Sequence, residues 1–144
     1  DNVLKGYWNN NKSTKKHLTN GWFHTGDIAR RDENGNFWFV DRLKNVIISG
    51  GENIYPAELE RVLSKTTKSP EFSIVGKKDK KWGEVPVVVA VKKHFKFSEK
   101  EILEEFNGKI ANYKIPKRVI FVSELPRNAL GKILVDKVKQ IIER

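Results

Sequence analysis

The sequence contains no cysteine, which excludes disulfides and cysteine-ligated metal sites and fits a reducing cytoplasm. Histidine is scarce. His17, His24 and His94 are scattered and form no spacing a metal would use, so a metal site built from this chain alone is not expected. No apolar run approaches the length that spans a bilayer. The opening residues Asp-Asn-Val-Leu-Lys-Gly lack the charged-then-apolar layout of a signal peptide. Internal repeats and low-complexity tracts are also missing. Acidic residues are in the minority, 18 Asp and Glu against 28 Lys and Arg, for a formal net charge of +10.

That positive charge needs a partner or a reason. Lys77, Lys78, Lys80 and Lys81 cluster, as do Lys92, Lys93 and Lys96. Such patches bind nucleic acid when aromatic groups stack beside them. Here no helix-turn-helix, zinc-finger or RRM-type aromatic motif accompanies them. A bias toward lysine over arginine suits a solvated surface better than a phosphate-reading fork. A polyanionic small molecule accounts for a basic face equally well, and nucleic acid is not the expected partner.

With 144 residues, 38% of them hydrophobic, the chain fits one modest domain, or a small domain with an extra arm. Residues 1–40 read as the arm. Asn9-Asn10-Asn11 and Thr19-Asn20-Gly21 are turn signals, and the polar segment between them has only Leu18 as an apolar anchor. Trp8, Trp22 and Phe23 have little local apolar partner. Asp32-Glu33-Asn34-Gly35 is a hairpin turn that places Ile28 and Phe37–Val40 on paired strands.

From Asp41 onward the pattern is regular. Val46–Ile48 reads as a buried strand ending in a double glycine, and Pro56 opens a helix with Leu59, Val62 and Leu63 on one face. Phe72–Val75 and Val85–Val91 read as strands separated by a charged turn, the second apolar almost throughout, as expected of a strand covered on both faces. Ser98 and Glu101 predict a capping box, and the helix after it should bury Ile102, Leu103, Phe106 and Ile110. Val119–Val122 is a further strand, and Val135–Ile142 a closing helix with Val138, Ile141 and Ile142 on one side. The expected class is α/β or α+β, a small mixed sheet flanked by about three helices and preceded by a hairpin-containing arm.

Four short motifs stand out from this frame. Pro126-Arg127-Asn128-Ala129-Leu130-Gly131-Lys132 suggests a cation on a flexible arm that must reach an anion, although an isolated Gly-Lys is usually a solvated turn. Thr25-Gly26-Asp27 puts a carboxylate beside a glycine turn, where an isolated Asp commonly ties down its own loop. Asp41-Arg42-Leu43-Lys44 follows a strand and could be a surface ion-pair cluster. Ser49-Gly50-Gly51-Glu52-Asn53 removes side chains where something approaches the backbone, or supplies positive φ for a tight turn.

Taken in chain order, with the Lys132 motif last, the four motifs resemble the C-terminal part of the adenylate-forming acyl-CoA synthetases, over about Lys5 to Arg144. The resemblance implies that Asp27 accepts hydrogen bonds from the ribose hydroxyls of ATP and that Arg42 helps hold ribose or phosphate. It makes Lys44 the hinge about which a mobile C-terminal lid rotates. Gly50, Gly51 and Glu52 become the loop that lines the pantetheine tunnel, and Lys132 the catalytic lysine of adenylate formation. Asp41 and Lys44 suit the acyl- and aryl-CoA branch, whereas many related peptide-synthetase domains have Gly-Arg-x-Asp. Trp82-Gly83-Glu84 matches a Gly-Glu pair near the coenzyme A entrance, and Tyr113-Lys114-Ile115-Pro116-Lys117 has the family's Tyr-Lys-x-Pro form. Glu58 and Glu60 match as well, though an exposed helical face explains them equally.

No Ser/Thr/Gly-rich phosphate loop, adenine-stacking motif or acyl pocket of the family's type is found. The resemblance therefore implies a lid, residues 41–144, with residues 1–40 ending a large N-terminal domain that is the lid's partner. ATP, coenzyme A, Mg2+ and a small carboxylic acid, fatty or aryl, would be held mainly by that domain. On its own the lid should not turn over. Other readings left open are an adenylating enzyme that uses a carrier protein, a basic binding module, and a regulatory fragment docking through its aromatics.

Overall fold

The structure, a computed structural model, describes residues 2–66, 71–94 and 98–143. Two compact units divide the chain, Asp1–Leu43 and Lys44–Arg144.

In the first unit an Asn-rich turn becomes a helix. Asn10 caps α1 (Asn11–His17) by accepting the Ser13 amide at 3.0 Å, and Lys15, Lys16 and His17 fill the last turn, where cations suit the carbonyl end of the dipole. This helix escapes a periodicity reading because it buries no residue. β1 (Leu18–Thr19) and β2 (Trp22–Phe23) form a hairpin whose turn residues Asn20 and Gly21 both take positive φ, 51° and 80°. β3 (Asp27–Arg31) pairs antiparallel with β4 (Phe37–Arg42), as the turn signal predicts. The Asp32 carboxylate ties that turn, accepting from the Asn36 amide at 2.8 Å, Asn36 Nδ2 at 3.1 Å and Trp38 Nε1 at 3.0 Å. These donors, the Trp38 indole foremost, hold the Asp32 pKa below its ordinary value. Trp8 and Trp22 are 91% and 77% exposed, whereas Phe23 is half-buried beside the His17 ring.

The second unit is α+β. Its strands are β5 (Ile47–Ser49), β6 (Glu52–Ile54), β7 (Phe72–Asp79), β8 (Gly83–Val91) and β9 (Val119–Val122). They order as β6-β5-β8-β7, with β9 joining β8 in parallel and the other pairs antiparallel. The helices are α2 (Pro56–Thr66), α3 (Glu99–Glu104) and α4 (Val135–Ile142). β8 is buried from Val85 to Val91. Val88 and Ala90 join one core with Leu59, Leu63, Ile102 and Phe106; Val87, Val89 and Val91 join another with Leu125, Val138 and Ile142. Lys96 lies outside the described residues.

Two helix expectations need correction. α3 starts at the predicted capping box but stops at Glu104, and short-range bonds such as Phe106 N to Leu103 O carry Phe106 inward through successive turns. In α4, Val135, Val138 and Ile142 define the apolar stripe, which leaves Ile141 about a quarter turn away and 41% exposed. Carboxylates of α2 and α3 also protect the outer strands: Glu60 accepts the Ile74 amide at 3.0 Å and Glu99 the Val119 amide at 2.7 Å.

Adjacent isoleucines should therefore behave differently in urea unfolding. Ile142→Ala should cost about 2–5 kcal/mol, and Ile141→Ala about 1 kcal/mol at most; equal losses would refute the stripe. At Asp32 the folded pKa lies below the unfolded one, so the turn's contribution is present above the ordinary value of 3.8 and fades as pH falls through the lowered one. The Trp38 indole N–H resonance should hold steady down to that range and move only on further acidification, and Asp32→Asn should abolish the transition.

Candidate functional site

Within the first unit the structure brings two of the singled-out residues together. The β3–β4 register sets Asp27 opposite Arg42, and Arg42 Nη1 lies 2.8 Å from Asp27 Oδ1. The same nitrogen reaches the Thr25 carbonyl at 3.5 Å, while Thr25 Oγ1 accepts the Asp27 amide at 3.0 Å. Leu43 N donates to Gly26 O at 2.8 Å and closes the turn against the end of β4. The pair is half-exposed, 50% for Arg42 and 32% for Asp27. An ion pair this open adds little stability, yet it fixes the direction of the carboxylate, which can still accept hydroxyl donors. Asp41 next door is 3% exposed and accepts the Arg42 amide at 2.7 Å.

In the second unit Gly50 and Gly51 form the two-residue turn of the β5–β6 hairpin, with φ of 61° and 88° and Ser49 paired to Glu52. Here the structure joins two motifs that lie far apart in the sequence. The Gly50 amide donates to Trp82 O at 2.8 Å, and a Cβ at Gly50 would lie 2.8 Å from Trp82 Cε3. The indole thus rests on the bare glycine. Ser49 pairs with Gly83, and Glu84 Oε2 accepts the Ile48 amide at 3.3 Å. Asp79 Oδ1 holds the preceding turn through the Lys81 and Trp82 amides, and the Lys81 ammonium sits 4.8 Å from the Trp82 ring centroid. Glu52 is exposed.

Lys132 sits not on a flexible arm but on a tightly bonded loop. Asn128 is its hub. Asn128 Oδ1 accepts the Leu130 amide at 3.0 Å and the Lys132 amide at 2.9 Å, Asn128 N donates to Lys132 O at 2.9 Å, and Gly131 N donates to Asn128 O at 2.9 Å. Arg127 spans the loop, giving Nη1 to Gly131 O at 2.6 Å and Nη2 to Glu71 Oε1 at 3.2 Å. Lys132 itself is exposed, and no ion pair of its ammonium is seen among the described residues. Lys44, in a short 3-10 turn, pairs with Asp136 in the first turn of α4 at 3.0 Å.

Several other candidates have structural duties. Glu58 binds Lys114 with both oxygens at 2.9 and 2.8 Å, and this carboxylate raises the lysine's pKa. Lys77 donates to Ile142 O at the end of α4, Lys78 lies 3.8 Å from Glu143, and Lys92 sits over the Phe121 ring. The basic clusters are thus partly internal fastenings. Arg127 and Asn128 lie within the singled-out motif, but their contacts, like those of Glu71 and Asp136, were not read from the sequence. Only Asn128 carried a local signal, an Asn three residues ahead of a glycine. Among the described residues no group of three or more His, Asp or Glu could hold a metal ion, and no helix is long and apolar enough to cross a membrane.

Comparison with known proteins gives this geometry a family context. The model for the AMP-binding enzyme C-terminal domain matches residues 58–132. Indoleacetate–CoA ligase of Aromatoleum aromaticum is 44% identical over 144 residues, which is 99% of this chain and 28% of that protein. A long-chain-fatty-acid–CoA ligase of Mycobacterium tuberculosis is 46% identical over 134 residues, 93% of this chain and 27% of that one. Among solved structures, o-succinylbenzoate CoA synthetase of Bacillus subtilis, in complex with its acyl-adenylate intermediate, superposes with a TM-score of 0.87 at 40% identity, over 96% of this chain and 28% of that one. The chain spans little more than a quarter of the length of these relatives.

The contact between Gly50 and the indole predicts unequal costs for the two glycines. Alanine at either position meets the left-handed backbone penalty of about 1–2 kcal/mol, but only Gly50→Ala also displaces Trp82. A Trp82 indole resonance that moves in Gly50→Ala and stays in Gly51→Ala would bear this out; the reverse would refute it.

Proposed function

Since the chain belongs to the AMP-binding enzyme C-terminal domain family, we propose that it is the C-terminal lid of an ATP-dependent acyl-CoA synthetase acting on a fatty or aryl acid. The carboxylate oxygen of the acid attacks the α-phosphorus of ATP, the bond to the bridging oxygen breaks, and diphosphate leaves. The coenzyme A thiol, giving up its proton, then attacks the acyl carbon, and AMP leaves with the electron pair of the C–O bond. Residues 41–144 act as the lid and residues 1–40 complete the N-terminal domain, which is the lid's partner and holds most of the ATP, the acid and Mg2+. This reading puts the enzyme in the cytoplasm, where ATP and coenzyme A are available.

The observation that carries it is Lys132, an exposed ammonium on a braced loop. Adenylation brings two anions together and builds charge on the α-phosphate oxygens, so a cation delivered there lowers the barrier electrostatically. Asp27, oriented by Arg42, accepts the ribose hydroxyls. Lys44 is the pivot, where a few residues absorb the backbone change. Gly50 and Gly51, without side chains, form the wall beside the thiol arm, and Glu52 borders it.

In the complete ligase, Lys132→Ala should lower acyl-adenylate formation by about a hundredfold or more, since one such donor is worth ~2.7–4 kcal/mol. Thioester formation from supplied adenylate should survive. Gly51→Val should give the opposite split. Unchanged pyrophosphate exchange in Lys132→Ala would remove the assignment of that residue, and equal loss of both half-reactions in Gly51→Val would remove that of the loop.

A further inference from the structure

We infer that Asn128 and the Arg127–Glu71 pair are positioning residues for Lys132, a role that rests on the reading of Lys132 just given. The loop from Arg127 to Ile133 is exposed over most of its length, and Leu130 at its tip is 92% exposed. Apolar packing therefore cannot set its shape, and polar contacts must. Asn128 makes four of them, two through one carboxamide oxygen and two through its backbone, and they close the loop into a single turn. Gly131 supplies the positive φ, 79°, that this closure demands.

Arg127 then ties the turn to the sheet. One arm of its guanidinium holds the carbonyl of Gly131, the peptide group from which Lys132 begins, and the other holds Glu71 at the foot of β7. A planar fork can serve both partners at once, which a lysine at this position cannot. Glu71 and Arg127 are partly exposed, 34% and 38%, so the pair contributes little to stability. Its effect is directional: it fixes the Cα–Cβ vector of Lys132 relative to the strands. A catalytic cation displaced by one ångström can cost about a hundredfold in rate, so the brace matters to chemistry more than to folding.

The test separates the half-reactions in the complete ligase. Asn128→Ala should lower the kcat of adenylation roughly ten- to hundredfold, with the KM for ATP, the thermal midpoint and thioester formation from supplied acyl-adenylate little changed. Arg127→Lys should show a smaller loss of the same kind. Asn128→Asp, which keeps an acceptor oxygen for both amides, should recover most of the rate. Combined with Lys132→Ala, Asn128→Ala should add no further loss, because its effect passes through the lysine. Wild-type adenylation in Asn128→Ala, additive losses in the double variant, or equal losses in both half-reactions would overturn the inference while leaving Lys132 in its role. Full adenylation by Lys132→Ala alone would remove the functional reading, and this inference with it.

Discussion

Strand β8 is the constraint on which the second unit depends. Its residues from Val85 to Val91 are buried, alternate side chains enter two separate cores, and among the described residues it alone pairs with three other strands. β7 runs along one edge for eight residue pairs, whereas β5 touches only its start and β9 only its end on the other edge. Pro86 stands in the gap between those two partners. The Val88 amide donates to Arg118 O on that edge, and Pro86, of the same parity, would point its missing amide the same way. A residue that would break a continuous ladder therefore costs nothing here. Its carbonyl even gains the Lys117 amide at 2.9 Å, which helps seat the chain entering β9.

In each unit the candidate site groups stand at places where ladders begin or end. The Gly50–Gly51 turn meets the first residues of β8, where Gly83 and Trp82 press against it. The Lys132 loop is tethered to the residue just before β7. Asp27 and Arg42 face each other across the open end of the β3–β4 hairpin, where the strand register alone makes them partners. In each case an ordered backbone fixes where the candidate group stands.

Much of this could be read from the chain in advance, and the limits have physical causes. The Asp32–Gly35 hairpin, the Ser98–Glu101 capping box, the doubly covered β8 and the bounds of α4 all rest on local chemistry, and each is present. α1 was invisible because a helix that buries nothing leaves no stripe. The end of α3 was missed because Phe106 and Ile110 keep helical spacing although the chain is already turning. Long-range pairs leave no trace in a single sequence: Lys44 with Asp136, Arg127 with Glu71, and Trp82 on Gly50 became evident only once the sheet brought them together. The lysine clusters show the same limit, since the contacts of Lys77 and Lys78 with the end of α4 are equally invisible in the sequence.

Glu71 and Asp79 stand at opposite ends of β7, eight residues apart, a separation of roughly 27 Å at about 3.4 Å per residue. One end anchors the ammonium loop and the other anchors the bare-glycine turn. A strand that is hydrogen-bonded to its neighbour along this whole length does not fold in half. A single point in space can therefore be visited by one end or by the other, never by both together. On the proposed lid reading, exchange between them would call for swinging the entire beam, because a local loop rearrangement falls far short of that span.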